Sequence, residues 1–160
     1  MKLLLGREAP EILAFLRDAS AAYARKHRNP GVAASHGPVS AVALRFDSSE
    51  KAGIDLCLDT RRPFVFDRTW SHESFGRLAR PHWAEARRAL QAGGVDVVGV
   101  DGTASHFDAE SSAESWAAVF GRFLVGVVGL AEAGGLLASL PRQPGCVTVV
   151  DDVEGFFTWR

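Results

Sequence analysis

One stretch limits the folds open to this chain more than any other. Residues 111–135 read as a single long, oily helix. Ser111-Ser112-Ala113-Glu114 opens it as a capping box, with a Ser side chain taking the third helical amide and Glu114 reaching back to the cap amide. Trp116, Val119, Phe120, Phe123, Val127, Leu130 and Ala131 recur at three- and four-residue steps, so they share a face. Leu124, Val125 and Val128 make most of the remaining surface apolar, and a helix apolar nearly all round is expected to be buried on more than one side. Gly134-Gly135 stops it. Gly121, Gly126 and Gly129 each cost about 0.5–1 kcal/mol against alanine. The expectation is that they let a strand or a second helix approach closely. Arg122 and Glu132 leave nine uncharged residues between them. A bilayer span needs about 20, so no membrane partner is expected.

The segments around this helix supply the surface that buries it. Pro10 suits the first turn of a helix carrying Ile12, Leu16, Ala19 and Tyr23 on one stripe, with Phe15 beside it. Arg25-Lys26-His27-Arg28 closes that helix, where positive charge meets the negative end of the dipole; phosphate binding is the alternative use of the run. Residues 39–46 and 54–59 alternate as strands. Placing Phe46 opposite Ile54 puts Leu44 opposite Leu56 and Val42 opposite Leu58, and sets Arg45 against Asp55 and Ala43 against Cys57. Apolar meets apolar on one face and opposite charges meet on the other, which predicts an antiparallel hairpin. Phe64-Val65-Phe66 reads as a third short strand. Thr69 or Ser71 is expected to cap a helix through Phe75, Leu78 and Ala79. Pro81 kinks that helix or starts a second one with Trp83, Ala86 and Leu90, ended by Gly93-Gly94. Residues 95–100 form a short strand. Residues 141–145 form a turn, and residues 146–150 and 156–159 form a closing hairpin in the same sheet as the first. The order predicts an α+β fold over residues 1–160: a single domain in which helices pack on an antiparallel or mixed sheet.

At 160 residues the chain can bury roughly 70% of its unfolded surface, so neither disulfide nor metal is required. Cys57 and Cys146 sit in strand-like runs and read as buried thiols, and residues 1–6 are too short for a signal-peptide core. The expected compartment is the cytoplasm. Charge is uneven: residues 1–88 hold 15 basic and 10 acidic groups, and residues 89–160 hold 3 and 9. That asymmetry either marks a partner-facing surface or cancels within the fold.

Several constellations invite chemistry. Asp55, Cys57 and Asp59 share a strand face, but no His falls in the alternation and Arg45 offers Asp55 a partner. A polar face turned to water is the expectation. Residues 61–88 carry seven arginines near Trp70 and Trp83, as phosphate-binding and base-stacking surfaces do. Net charge of -1 and scarce Lys favour instead an amphipathic helix with solvated arginines and Trp83 in the core. Asp101-Gly102-Thr103 after a hydrophobic strand is similar to the catalytic loop of haloacid-dehalogenase-type phosphatases. That family's nucleophile position holds Gly99, and no Lys follows Lys51, so the likeness is rejected for a turn dipeptide. Asp101, His106 and Asp108 remain candidates for a small acid/base or metal-binding set. Ser35-His36, Ser71-His72 and Ser105-His106 are adjacent pairs, not nucleophile–base pairs, which are made in space.

Element order, size and the strands at residues 39–46, 54–60 and 146–150 resemble small uncharacterised bacterial proteins, some of the immunity type encoded beside secreted toxins. The resemblance covers most of the chain and implies a non-enzymatic protein that binds one protein partner, needs no cofactor and carries over no site residues. A homodimer is compatible with it. The partner surface expected is one of exposed aromatics and one charge sign, at Arg61, Arg62, Trp70 and His72. Two alternatives stand beside it: a small metal-dependent hydrolase using Asp101, His106 and Asp108, and phosphate or nucleic-acid binding through residues 61–88.

Overall fold

The computed structural model describes residues 1–31, 37–49, 51–61 and 74–160. Among these described residues, eight strands and three α-helices follow in the order β1 (Lys2–Leu4), α1 (Ala9–His27), β2 (Val39–Asp47), β3 (Gly53–Asp59), β4 (Ser74–Ala79), α2 (Pro81–Ala92), β5 (Val95–Val98), β6 (Ala104–Phe107), α3 (Ala113–Ala133), β7 (Arg142–Asp152) and β8 (Thr158–Trp159). A five-stranded sheet runs β4-β3-β2-β7-β8 and a three-stranded sheet runs β1-β5-β6. Both sheets are mixed, because β2 pairs with β7, and β1 with β5, in parallel. The fold is α+β, and one continuous apolar core joins both sheets and all three helices.

The first hairpin forms in the register its pattern specifies: Phe46 faces Ile54, Leu44 faces Leu56, Val42 faces Leu58, Arg45 faces Asp55 and Ala43 faces Cys57. Val42, Leu44, Phe46, Ile54 and Leu56 are fully buried. Burial of such side chains contributes roughly 1.5–3 kcal/mol each. The charged partners are redistributed, however. Arg77 on β4 takes Asp55 at 2.6 Å, and Arg45 turns to Asp151 on β7 at 3.3 Å.

Four local expectations need correction. Residues 74–79 form a strand, not a helix, because β3 offers them an open edge: Leu78 pairs with Ile54, Arg77 with Asp55 and Gly76 with Leu56. Tertiary pairing outweighs helical spacing in a segment this short. The turn at residues 141–145 is absorbed into β7. Val39 pairs with Arg142 and Ala41 with Val147, so the extra residues bulge, and Gly145 takes φ 77°. The reverse face of the large sheet is not simply polar and wet, since Ala41, Ala43, Cys57 and Val149 form a second buried cluster there. A further strand, β6, occupies residues that read as loop. The expected strand at residues 64–66 lies outside the described residues.

α3 is the helix the apolar run specifies, with its details shifted. Ser112, not Ser111, is the N-cap; its side chain accepts from the Ser115 amide at 3.1 Å. Ser111 instead pairs with Asp108. Trp116, Ala117, Phe120, Phe123, Leu124, Val127, Val128 and Ala131 are buried over a broad face, and Phe120 lies 4.6 Å from Trp83 of α2 between ring centroids. Trp116 anchors the start of the helix by donating from Nε1 to the Ser48 carbonyl at 2.9 Å. The glycines divide. A Cβ on Gly121 would lie 2.3 Å from the Phe157 ring, so this glycine does admit a close neighbour. At Gly126 and Gly129 a Cβ would meet nothing within 4 Å, and Leu130 is 58% exposed. The helix is therefore buried on one side and open on the other. By length and composition it could cross a membrane, yet half of its apolar window is packed inside the fold.

Candidate functional site

The open face of α3 and the β5–β6 hairpin enclose a groove of about 350 Å³. β5 ends at Val98 because Gly99, Val100, Asp101 and Gly102 turn the chain: the Gly99 amide donates to the Thr103 carbonyl at 2.9 Å and Gly102 takes φ 82°. That turn pushes Val100 outward to 67% exposure. Leu5, Val97 and Phe123 form the floor of the groove, and Val119 and Gly126 line the α3 side. Its polar lining is Asp101, Thr103, Ser105 and Arg122. No described residue makes a hydrogen bond or ion pair with Arg122.

Asp101, His106 and Asp108 each have a separate local partner. Asp101 accepts from the Thr103 amide and hydroxyl, both at 2.9 Å, and these bonds hold its carboxyl below the usual range. His106 stands opposite Asp96 across the β5–β6 ladder and donates from Nδ1 to its Oδ1 at 2.8 Å, which lowers the Asp96 carboxyl in turn. Asp108 accepts from the Glu110 amide and the Ser111 hydroxyl, which lower its carboxyl. Asp101 faces the groove and the other two do not line it. Among the described residues no three His, Cys, Asp or Glu gather to hold a metal ion.

Of the surface expected at Arg61, Arg62, Trp70 and His72, only Arg61 lies within the described residues. Its guanidinium donates to the buried Asp59 at 2.7 Å. Arg62, Trp70 and His72 are outside them, as are Ser35-His36 and Ser71-His72. The described arginines of residues 61–88 are mostly engaged within the fold. Arg77 holds Asp55; Arg80 is buried between Glu8 and Glu11; Arg87 lies over the Trp116 ring at 5.9 Å; Arg88 bonds the Ala84 carbonyl. Trp83 is fully buried. The phosphate-binding alternative thus finds few unengaged cations on the described part of this segment.

The cysteines offer no reactive site. Cys57 belongs to the reverse-face cluster and Cys146 packs against the main core on the opposite face, and no disulfide joins them. Burial pushes the Cys57 thiol up to about 11 and raises Cys146 as well, so both stay protonated near neutral pH.

Comparisons with protein-family models, with curated proteins and with solved structures find no match to this chain. The site that sequence reasoning passed over is the one around Arg122. The available signal was a single cation on the same helical face as Gly126, Gly129 and Ala133, spaced at four, three and four residues.

Proposed function

We propose that this chain is a non-enzymatic binding protein of the immunity type, acting in the cytoplasm, that seats one protein partner on the open face of α3. The observation that carries the reading is the emptiness above Gly126 and Gly129. Each glycine costs the helix about 0.5–1 kcal/mol, and no close approach within the fold offsets that cost. Val125, Leu130 and Ala133 flank them, and Leu130 is 58% exposed on a helix whose other side is core. A partner backbone resting on the two glycines would bury this strip and exploit their lack of side chains. The acid/base alternative has less support, since Asp101, His106 and Asp108 each bond a different neighbour.

The test uses the product of the gene beside this chain's own, titrated calorimetrically. Wild type is expected to bind it, and Gly129→Glu to weaken binding at least 100-fold with the circular dichroism spectrum unchanged. Gly126→Ala with Gly129→Ala is expected to stabilise the free chain by about 1–2 kcal/mol while also weakening the complex. Absence of binding by wild type, or equal binding by Gly129→Glu, overturns the reading.

A further inference from the structure

The groove beside the middle of α3 adjoins the bare helix face at Gly126 but has a floor of its own. Its floor belongs to the core: Leu5 is 0%, Val97 1% and Phe123 7% exposed. The shape is therefore fixed before any ligand arrives, as small-molecule sites mostly are. At about 30 Å³ per water-sized group, its volume holds roughly ten to twelve non-hydrogen atoms. Two polar groups line this apolar trough without partners among the described residues. The Arg122 guanidinium has none among the described residues, and neither has the Ser105 hydroxyl. Ser105 pairs with Val97 in the β5–β6 register and shares its groove-lining face. Thr103 and Asp101, the other polar lining residues, bond each other.

Arg offers donors only, in a planar fork that matches a carboxylate, and a hydroxyl adds one donor more. A phosphate brings nearly two charges and three acceptor oxygens, more than one fork and one hydroxyl satisfy. Asp101 at the rim adds a fixed negative charge, which disfavours a ligand with a second acidic group.

We propose that this groove binds a small amphipathic carboxylate: an alkyl chain of about eight carbons, sized by the groove volume, lies over Leu5, Val97, Val119 and Phe123, and its carboxylate meets Arg122 and Ser105. The groove shares Gly126 with the face on which a protein partner is proposed to rest, but the ligand is argued from the groove's own floor and polar groups, and its test needs no partner.

Octanoate and 1-octanol are the probes, titrated into the isotope-labelled full chain and followed by amide chemical shifts. Octanoate is expected to move Val97, Ser105, Val119, Arg122 and Phe123, and to bind at least ~10-fold tighter than octanol, the order of gain a charge-assisted fork contributes. Arg122→Gln removes that preference and leaves octanol binding unchanged. Arg122→Lys, which keeps the charge without the fork, falls between. Arg122 is exposed and has no partner among the described residues, so these variants keep the fold, and the dispersion of their spectra checks it. Equal binding of octanoate and octanol, shifts confined to other residues, or a retained preference in Arg122→Gln overturns the proposal.

Discussion

Asp152 is 2% exposed near the end of β7 and accepts one hydrogen bond, from the Phe156 amide at 3.2 Å. Burial pushes its carboxyl up from the ordinary 3.8 to about 6; the Phe156 amide opposes the shift, and Glu154, Asp151 and Asp47 add to it. The sign of the consequence follows from linkage. The folded chain holds this proton more tightly than the unfolded chain, so the group's contribution to stability is fully present below about 3.8 and is lost as pH rises through about 6. Asp152→Asn keeps an acceptor for the Phe156 amide and abolishes the titration. The variant is expected to be more stable than wild type at neutral pH, with the gap closing as pH falls through that window. Urea midpoints across the window check this; a gap independent of pH would place the titration elsewhere.

Elements were legible in this sequence where a single periodicity governed a whole segment. The β2–β3 register, the limits of α1, the end of α2 and the existence of α3 all follow from apolar spacing and Pro or Gly punctuation. Elements that depend on a distant neighbour were not legible. Ser74–Ala79 carries helical spacing and becomes a strand because β3 has an edge to pair. Ala104–Phe107 is four residues long and exists as a strand only beside β5. The candidate groove was hidden for the same reason, since it needs Arg122 of α3 and Ser105 of β6 together and the two are joined only in space. The cap of α3 shows the limit within one element. Ser111-x-x-Glu114 fits the motif, yet Ser112 makes the bond to the Ser115 amide and Ser115 returns its hydroxyl to the Ser112 carbonyl at 2.9 Å. Ser112→Ala should therefore cost about 1 kcal/mol of unfolding free energy. Ser111→Ala removes two exposed bonds, one donated to the Asp108 carboxylate and one accepted from the Asp108 amide, and should cost less than Ser112→Ala. Parallel denaturant titrations decide between the two, and equal losses would return the cap to Ser111.

Across the whole molecule, the two sheets are held in one body by the shared apolar core and by a buried cation, Arg80. Arg80 lies between β4 and α2 with 3% of its surface exposed. Its Nη2 donates to the buried Glu8, its Nη1 donates to Glu11 at 2.8 Å, and its own amide donates to the Ala52 carbonyl at 2.9 Å. Glu8 leads from the short turn after β1 into α1, so this one guanidinium ties the edge of the large sheet to the chain leaving the small one. Glu8 also receives His82 at 3.3 Å, which leaves it one weak contact if Arg80 is removed. Buried pairs add little net stability over apolar replacements, but removing one partner strands the other charge. Arg80→Met is accordingly expected to destabilise by about 3–5 kcal/mol, while Glu8→Leu with Arg80→Met restores most of the loss. Glu11, which is 63% exposed, should matter far less. The measurement is a double-mutant cycle on unfolding free energy: strong coupling between positions 8 and 80, and weak coupling between 11 and 80, is the expected pattern. Additive losses at 8 and 80 would mean that apolar packing alone fastens the small sheet to the large one.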